Sequence, residues 1–312
     1  MQIRTYQPGD EQVQAEIYNA ATQALPKFKP ATAEEIARRY RAGDPDPQAR
    51  FYAVAGGQVV GYIVFNANGR LSYPWCLPHA QAARQPLLEA ALAEMHRRGL
   101  PEAWAAYRAD WAEPLAFLKE HGFQAVREMV NYIAPLSRLP ADPVPADLSL
   151  GPLGPAEVAQ ARELWGSLFA TADVSRLKAF YLKNEYFTPA SGFIVRDART
   201  GRLLGLALAI TDPRYADPTL VDPAMPCFRL GTLGTETERH KRINGLFSCA
   251  FADERAGTVL LTEAARRFAA AGLAHAAAQA PSDQPALVAF YDRSFQRQGS
   301  FPILARRLSA SG

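Results

Sequence analysis

The sequence predicts a mixed α/β (α+β) protein made of two tandem copies of one fold, each with a central mixed β-sheet flanked by helices. Three observations support this prediction: apolar landmarks that recur 173 positions apart, a proline-rich stretch between the copies, and the same order of strand and helix signals in both. A chain of 312 residues is also expected to form about two domains of roughly 150 residues each.

The repeat is carried by short apolar segments that keep one spacing in both copies. They begin at Leu87, Gly99 and Ala116 in the first copy and at Leu260, Gly272 and Ala289 in the second. Solenoid repeats are only about 20 to 50 residues long, so this repeat unit is a whole domain. Function therefore has to be considered for each copy separately.

The boundary between the copies is predicted at residues 139–147. Pro140, Pro143 and Pro145 fall within this stretch, and closely spaced prolines block helix and central strand and favour an extended spacer. We therefore assign residues 1–138 to an N-terminal domain and residues 148–312 to a C-terminal domain.

Each copy is predicted to open with a strand and a helix. The strands are residues 3–6 and 148–150, and an amphipathic helix follows near Asp10 or Pro155.

A β-hairpin comes next in each copy. Residues 51–65 form one around Gly56-Gly57, since a two-glycine turn between β-branched and aromatic runs is a strong hairpin signal, and residues 192–210 form the other. Gly61 and Gly205 hold the same place in these hairpins but are only 144 positions apart. The second copy therefore carries an insertion between its hairpin and the next helix.

The second half of each copy is predicted as helix, strand, short helix and closing strand. The first of these helices has an apolar stripe formed by Leu87, Leu88, Ala91, Leu92 and Met95. The segments that follow are residues 103–107, 116–118 and 123–136 in the first copy and residues 274–279, 289–291 and 295–308 in the second.

This order of elements, with the Leu-Leu helix and the Ala-Phe-Tyr segment at 289–291, resembles the GCN5-related N-acetyltransferase family over most of both halves. The resemblance implies two acyl-CoA N-acyltransferase folds, acetyl-CoA as cosubstrate, and transfer of an acetyl group to an amine by direct attack on the thioester. In that family a loop of pattern R-x-x-G-x-G at a helix N-terminus holds the pyrophosphate. The unpaired amides and the helix dipole there both favour an anion.

The first copy departs from this pattern and is predicted to be degenerate. Its loop, residues 78–86, has alanines and Arg84 in place of glycines, and Leu118 stands where the family often has a tyrosine. We expect a structural or substrate-shaping role for this copy. The aromatic residues at 73–75 and 107–111 are predicted to pack in the core or between the halves, with a substrate pocket as the alternative.

The second copy offers two registers for the phosphate loop. Residues 252–259 contain one glycine and two carboxylates that would repel phosphate, whereas residues 239–245 resemble the family pattern with Arg242 and Asn244 in place of the two glycines. We favour the second register because apolar residues follow it at helical spacing. These residues are Ile243, Leu246, Phe247, Ala250 and Phe251.

The favoured register assigns a set of cofactor-binding residues. They are Leu233 and Thr235, near which strand amides would polarise the thioester carbonyl, and Arg239, Lys241, Arg242, Asn244 and Gly245, which would hold the phosphates. The alternative interpretation is a solvated basic turn.

Two residues are the candidate catalytic groups. Tyr291 matches the family's tyrosine and would protonate the departing thiolate. Glu236 is the candidate base that would deprotonate the amine. The alternatives are a buried packing tyrosine and a surface acid. The acceptor is expected to be a small-molecule amine or a peptide amine.

Composition narrows the partners and the location. A net charge of +3 without a clustered basic stripe argues against nucleic acid, and no apolar run approaches the roughly 18 residues that span a bilayer. The start of the chain lacks a signal-peptide core, so we expect a cytoplasmic protein.

The cysteines and histidines argue against a metal site. The three cysteines lack C-x-x-C spacing, and the five histidines lack the spacing of paired metal ligands. Oligomeric state stays open, and the rival function is a non-catalytic protein that binds acyl-CoA or another small ligand.

Overall fold

The computed structural model describes residues 1–28, 30–41, 46–169, 172–216 and 245–308. The chain forms two compact units: unit 1 contains Met1–Glu128 and Phe301–Gly312, and unit 2 contains Met129–Ser300. The predicted fold class is confirmed, since each unit has a β-sheet with helices packed on it. None of the described helices has the length and apolar character needed to cross a bilayer.

The elements of the first copy follow the predicted order. They are β1 (Gln2–Thr5), α1 (Asp10–Thr22), α2 (Ala33–Arg41), β2 (Arg50–Ala55), β3 (Gln58–Val64), β4 (Trp75–Cys76), α3 (Arg84–Arg97), β5 (Glu102–Ala106), α4 (Ala112–Glu120) and β6 (Gln124–Pro135).

The second copy repeats this order with its own elements. They are β7 (Leu148–Pro152), α5 (Pro155–Leu164), α6 (Val174–Leu182), β8 (Gly192–Asp197), β9 (Leu203–Ile210), β10 (Leu246–Phe251), α7 (Glu254–Ala270), β11 (His275–Pro281), α8 (Pro285–Ser294) and β12 (Gln296–Arg307).

The sheet of unit 1 begins with the antiparallel order β1-β2-β3-β4. Trp104 of β5 forms a parallel bridge with Arg70, which lies between β3 and β4. On its other side, β5 pairs with Ile303–Arg307 of β12. The predicted apolar stripe of α3 is confirmed. Leu87, Leu88, Ala91, Leu92 and Met95 are all buried in one core cluster.

The sheet of unit 2 has the order β7-β8-β9-β10-β11, and β11 pairs next with Met129–Pro135 of β6. All neighbours are antiparallel except β10 and β11, which are parallel. One core cluster packs against α7 and α8, and another packs against α5 and α6 on the opposite face.

The two hairpin glycines are equivalent in packing as well as in sequence. A Cβ atom on Gly61 would lie 3.2 Å from Leu87 Cδ1, and one on Gly205 would lie 2.7 Å from Leu260 Cδ1. Leu87 and Leu260 are themselves repeat partners. The prediction that these glycines occupy the same place is confirmed, because each lets the long helix of its copy approach the hairpin.

The closing strands are confirmed as strands, but the expectation that each closes its own copy is wrong. The part of β6 that pairs with β11 belongs to unit 2, and the part of β12 that pairs with β5 belongs to unit 1. The domain limits 1–138 and 148–312 describe the two copies along the sequence, whereas the compact units have exchanged their last strands.

The prediction of a helix after residue 243 is also wrong. Leu246–Phe251 is the strand β10, and five of its six residues are buried. A strand covered on both faces is a continuous apolar run, and helical spacing can be found in such a run by chance. The helix begins later, at Glu254, so the strand-to-helix turn is Ala252-Asp253, in the register that we did not favour.

Candidate functional site

The two parallel strands of unit 2 separate after a short contact. In the described part of the chain, β10 and β11 share the register pairs Leu246–Ala277 and Phe247–Ala278. Beyond them β10 continues to Phe251 along β9, and β11 continues along β6. Ligands in sheets of this kind bind in the crevice at the carboxyl ends of separating parallel strands. We call this divergence of β10 and β11 the unit 2 split.

Three polar side chains form a row across the unit 2 split. Ser248 lies on β10, Gln279 on β11 and Asn131 on β6, and Gln279 and Asn131 are directly opposite in register. Ser248 and Asn131 are buried. The Gln279 amide nitrogen donates to Asn131 Oδ1 at 2.8 Å, and Gln279 Oε1 is buried without a hydrogen-bond partner among the described residues.

The opposite face of the unit 2 split holds the candidate acid, Tyr291. Its side chain is fully buried, and its hydroxyl lies 3.5 Å from the thiol of Cys249. Burial raises the pKa of Tyr291 well above its ordinary value and raises the pKa of Cys249 to about 12. Both groups therefore keep their protons at neutral pH.

Tyr291 is also part of an aromatic cluster, with ring centroids at 5.3 Å from both Tyr132 and Phe295 and 6.1 Å from Phe247. The structure thus contains both features that the sequence suggested for Tyr291: a proton that it retains, and a packed core position. Its role as the acid stays a prediction.

The N-terminus of α7 does not fit a diphosphate. The carboxylate of Asp253 caps the helix by accepting from the Ala256 amide at 2.9 Å, so it already occupies the place of an anion. Glu254 adds a second carboxylate, which pairs with Arg293, while Arg255 pairs with Asp147. Two acids at this helix end oppose the binding of phosphate.

Gly257 in the same turn has a packing explanation. A Cβ atom there would lie 2.9 Å from Phe251 Cδ1 and 3.1 Å from Phe290 Cε2. This glycine lets two aromatic rings pack against the first turns of α7.

The corresponding helix end in unit 1 is closed in another way. A 3-10 helix, Pro78–Ala83, runs directly into α3, and the Arg84 amide donates to the carbonyl of Gln81. The Arg84 side chain pairs with Glu113 at 2.7 Å. The expected degeneracy of this loop agrees with these contacts, because the amide of Arg84 is already satisfied by the turn before it.

Aromatic side chains fill the place between β4 and β5 in unit 1. The Tyr107 hydroxyl accepts a hydrogen bond from the Tyr73 amide, the Tyr107 ring stacks on Trp111, and Trp75 is 4.7 Å from Tyr73 between ring centroids. Tyr73, Trp75 and Trp111 are buried. Of the two interpretations of these residues, packing in the core of unit 1 is the one that the structure supports. Leu118, in the place of Tyr291, is also fully buried.

Most of the predicted cofactor-binding residues and the candidate base lie outside the described residues. They are Leu233, Thr235, Glu236, Arg239, Lys241, Arg242 and Asn244. Gly245 is described and has a φ of +83°, and a Cβ atom on it would lie 2.5 Å from the His275 carbonyl oxygen.

A matching glycine in unit 1 explains Gly245. Gly69 has a φ of +84°, and its Cβ atom would lie 2.5 Å from the carbonyl oxygen of Glu102. Glu102 and His275 are 173 positions apart, so they are repeat partners. Both glycines thus allow a close backbone approach where the parallel pairing begins, and this accounts for Gly245 independently of any ligand.

Sequence reasoning missed the polar row of Ser248, Gln279 and Asn131. The signal was present, since Gln279 interrupts the run Ala276-Ala277-Ala278 and Ala280, and Asn131 interrupts an apolar strand. A polar residue within a buried strand needs a partner, and it therefore marks a position of interest.

Other groups in the described residues do not point to a site. A depression of about 350 Å³ lies along β7 and the start of α5, next to the ion pair of Arg196 with Glu157, and β8 and β9 separate this edge from the unit 2 split. Within the described ranges, no three His, Cys, Asp or Glu side chains are grouped so that they could hold a metal ion.

Comparison with known proteins identifies the fold. No protein-family model matches the chain, and no curated protein matches it either. Among solved structures, a GCN5-related N-acetyltransferase from Sphaerobacter thermophilus is similar with a TM-score of 0.64 and 16% identity, over 98% of this chain and 95% of that one. A tandem GNAT protein from the clavulanic acid biosynthesis pathway is similar with a TM-score of 0.52 and 15% identity, over 100% and 99% of the two chains. The chain therefore has the fold of the tandem GCN5-related N-acetyltransferases.

Proposed function

We propose that the protein is an acetyl-CoA-dependent N-acetyltransferase and that unit 2 carries the transfer. The observation that supports this most strongly is the unit 2 split, where β10 and β11 separate beside a row of uncharged polar side chains. The tandem acetyltransferase fold supports the same reaction class.

The proposed reaction is direct transfer. The neutral amine attacks the thioester carbonyl carbon, a C–N bond forms, the C–S bond breaks, and the departing thiolate takes a proton. Amides along the β11-facing edge of β10 would polarise the carbonyl as charge develops on its oxygen. Tyr291 is the proposed proton donor, because its phenol carries a proton at neutral pH and its hydroxyl lies 3.5 Å from Cys249 of β10. Glu236 remains the proposed base.

The phosphates of acetyl-CoA are proposed to bind the basic segment rather than the N-terminus of α7. Asp253 and Glu254 make that helix end unfavourable for an anion. Arg239, Lys241 and Arg242 supply positive charge, and Asn244 and Gly245 belong to the same proposed segment. Leu233 and Thr235 remain proposed cofactor-binding residues, near which strand amides would polarise the thioester carbonyl.

Unit 1 is proposed to have a structural or substrate-shaping role. Its strand ends are filled by Tyr73, Trp75 and Tyr107, and Leu118 cannot donate a proton. Acetyl transfer in unit 1 would require these buried rings to move.

A second candidate function is non-catalytic binding of acyl-CoA or a small ligand. Two observations favour it: the capped N-terminus of α7 and the complete burial of Tyr291. A protein that has lost turnover would retain the fold and a ligand site without an accessible acid.

The two functions are separated by following free thiol. The protein is incubated with acetyl-CoA and, in turn, tyramine, putrescine, alanine amide and kanamycin, and its thermal midpoint is measured with acetyl-CoA alone. Thiol release with at least one amine is the expected result. Stabilisation by acetyl-CoA without thiol release would support the binding protein, because a ligand of the native state raises apparent stability whatever the chemistry. If neither thiol release nor stabilisation is observed, acetyl transfer and the binding of acetyl-CoA are both refuted.

A further inference from the structure

The carboxamide side chains of Gln279 and Asn131 have no role in the proposed reaction, and one of their oxygen atoms lacks a hydrogen-bond donor among the described residues. We infer that this pair binds the N–H group of the acyl acceptor. The inference rests on the proposed function and names the acceptor side of the same site, and it uses only described residues.

The pair lies on the sheet face of unit 2 that packs against α5 and α6. Ala278 and Ala280 on β11 belong to the core cluster on the α7 and α8 side, whereas Ala277 belongs to the cluster on the other side. Side chains alternate along a strand, so Gln279 shares the face of Ala277. Asn131 is directly opposite Gln279 in the register of β6 and β11 and points the same way. Tyr291 packs in the cluster on the opposite face.

The position of Gln279 along β11 places it where the two parallel strands separate. The last register pair of β10 and β11 is Phe247 with Ala278, and Gln279 is the next residue. Ser248 is the residue after Phe247 on β10, and it belongs to the same face because its neighbours Phe247 and Cys249 belong to the other. A group bound to this row therefore lies at the opening of the unit 2 split.

The hydrogen bonding of the pair leaves one acceptor unused. Gln279 donates its amide N–H to Asn131 Oδ1 at 2.8 Å. Gln279 Oε1 is buried and accepts no hydrogen bond from the described residues. Buried carbonyl oxygens are nearly always satisfied in folded proteins, so an unsatisfied one indicates a missing donor.

The chemistry of the row defines the donor. A neutral carboxamide oxygen accepts N–H or O–H groups, and Ser248, Gln279 and Asn131 carry no charge. The acceptor amine supplies an N–H, and its nitrogen must be neutral when it attacks the thioester. Gln279 Oε1 can orient that nitrogen but cannot remove its proton, so the pair binds the acceptor and leaves deprotonation to another group.

The test measures equilibrium binding of three amines, tyramine, putrescine and alanine amide, to the full chain in the presence of CoA. Binding is monitored by saturation-transfer NMR. The informative variant replaces both partners together, Asn131→Leu with Gln279→Met, because removing a hydrogen-bonded pair with retention of shape is nearly neutral for stability. We expect the dissociation constant of any bound amine to rise at least tenfold, with the thermal midpoint unchanged or raised. The matched control is Gln284→Ala, which removes a carboxamide of the same unit that donates to the Ser167 hydroxyl at 3.2 Å. It should leave amine binding unchanged.

The outcomes test binding of the amine by Gln279 and Asn131 separately from acetyl transfer. Amine binding that depends on the pair supports it even when wild-type protein releases no thiol from acetyl-CoA, in which case only the proposed function fails. Unchanged amine affinity in the double variant overturns it, as does the absence of binding of all three amines to wild type. A fall in thermal midpoint of several degrees together with weaker binding also overturns it, because the amides would then be supporting the fold.

Discussion

At the scale of single residues, the two copies differ at the position of the candidate acid, which is Tyr291 in the second copy and Leu118 in the first. Both side chains are fully buried, and they are 173 positions apart. The phenol adds one hydroxyl to a position that the leucine fills with hydrocarbon, and that hydroxyl lies 3.5 Å from the thiol of Cys249. A thiol is a weak hydrogen-bond partner, so this contact contributes little to stability and does not by itself explain the tyrosine.

Replacing Tyr291 with phenylalanine tests whether the hydroxyl is the acid. We expect kcat for acetyl transfer to fall about 100-fold, because general acid catalysis typically contributes 10² to 10⁴. The free energy of unfolding should change by less than about 1 kcal/mol, since a single weak hydrogen bond is lost. Steady-state kinetics and urea unfolding measure the two effects.

The control is Tyr132→Phe, which removes a second buried phenol from the same cluster. It should leave kcat within about twofold, because the proposed reaction assigns Tyr132 no part. A Tyr291→Phe enzyme with full turnover would remove Tyr291 from the mechanism.

Asp253 provides a test of where the phosphates bind. Asparagine caps helices as well as aspartate does, so Asp253→Asn removes the charge at the N-terminus of α7 and keeps the helix. We expect acetyl-CoA affinity, measured by calorimetry, to be unchanged in this variant. Lys241→Ala and Arg242→Ala should each weaken binding by about tenfold or more, the effect of losing one charge-assisted phosphate contact of about 1.5 to 3 kcal/mol.

The opposite pattern would reassign the phosphate loop. Tighter binding in Asp253→Asn, with no effect of the Lys241 and Arg242 replacements, would place the phosphates at residues 252–259.

At the scale of elements, the closing strand of each copy pairs with a strand of the other compact unit. Ile303–Arg307 pairs with β5, and Leu304 is fully buried in the core cluster of α3. Met129–Pro135 likewise completes the sheet of unit 2 beside β11. Stability of unit 1 should therefore depend on residues at the end of the second copy.

A truncated chain tests this dependence. A chain that ends at Ser300 loses the strand beside β5, and we expect amide exchange in Glu102–Ala106 to accelerate by at least tenfold while β8 and β9 keep their protection. A chain that ends at Leu308 is the control and should resemble the full protein. Equal loss of protection in both units, or none in β5, would contradict the assignment of this strand.

Element types were predictable from sequence where the chain carries a clear period or a turn signal. The stripe of α3 has a helical period and each hairpin has a glycine-containing turn, and the structure confirms them. Leu246–Phe251 was missed because it is covered on both faces and has no period to read. The partner of a strand is not encoded in its alternation, so the closing strands were recognised as strands but assigned to the wrong sheet.

The candidate site was less predictable than the fold. Tyr291 was proposed from its match to the tyrosine of the family, whereas Gln279 and Asn131 were not proposed, because a polar residue in a strand acquires meaning only when its cross-strand neighbour is known. Gly245 was assigned to the cofactor from its place after a basic run. Its left-handed φ and its twin Gly69 show that the backbone requires glycine there in any case.

At the scale of the whole molecule, buried cysteine thiols and tyrosine phenols determine how the stability of the fold changes at alkaline pH. Burial raises the pKa of Cys76 and Cys249 from 9.0 to about 12 and that of Tyr132 from 10.0 to about 12, and it raises the pKa of Tyr291 well above its ordinary value. The folded state therefore holds these protons more tightly than the unfolded state does. The resulting stability is fully present below about pH 9 and is lost as the pH rises toward 12.

We accordingly predict that the unfolding midpoint in urea is the same at pH 7.5 and 8.5 and falls steadily between pH 9 and 11. The loss should be on the order of several kcal/mol, since one pKa unit corresponds to about 1.4 kcal/mol. Replacing Cys249 with alanine should reduce the slope of this fall, because one of the buried protons is removed. A midpoint that stays constant to pH 11 would contradict the burial of these groups.

The central claim is that acetyl-CoA binds unit 2, and hydrogen exchange with acetyl-CoA bound tests it most directly. Slower exchange is predicted in Leu246–Phe251 and His275–Pro281, the strands of the unit 2 split, with no change in Trp75–Cys76 and Glu102–Ala106, the corresponding strands of unit 1. Protection confined to the unit 1 strands, or no protection in either pair at saturating acetyl-CoA, would contradict the claim.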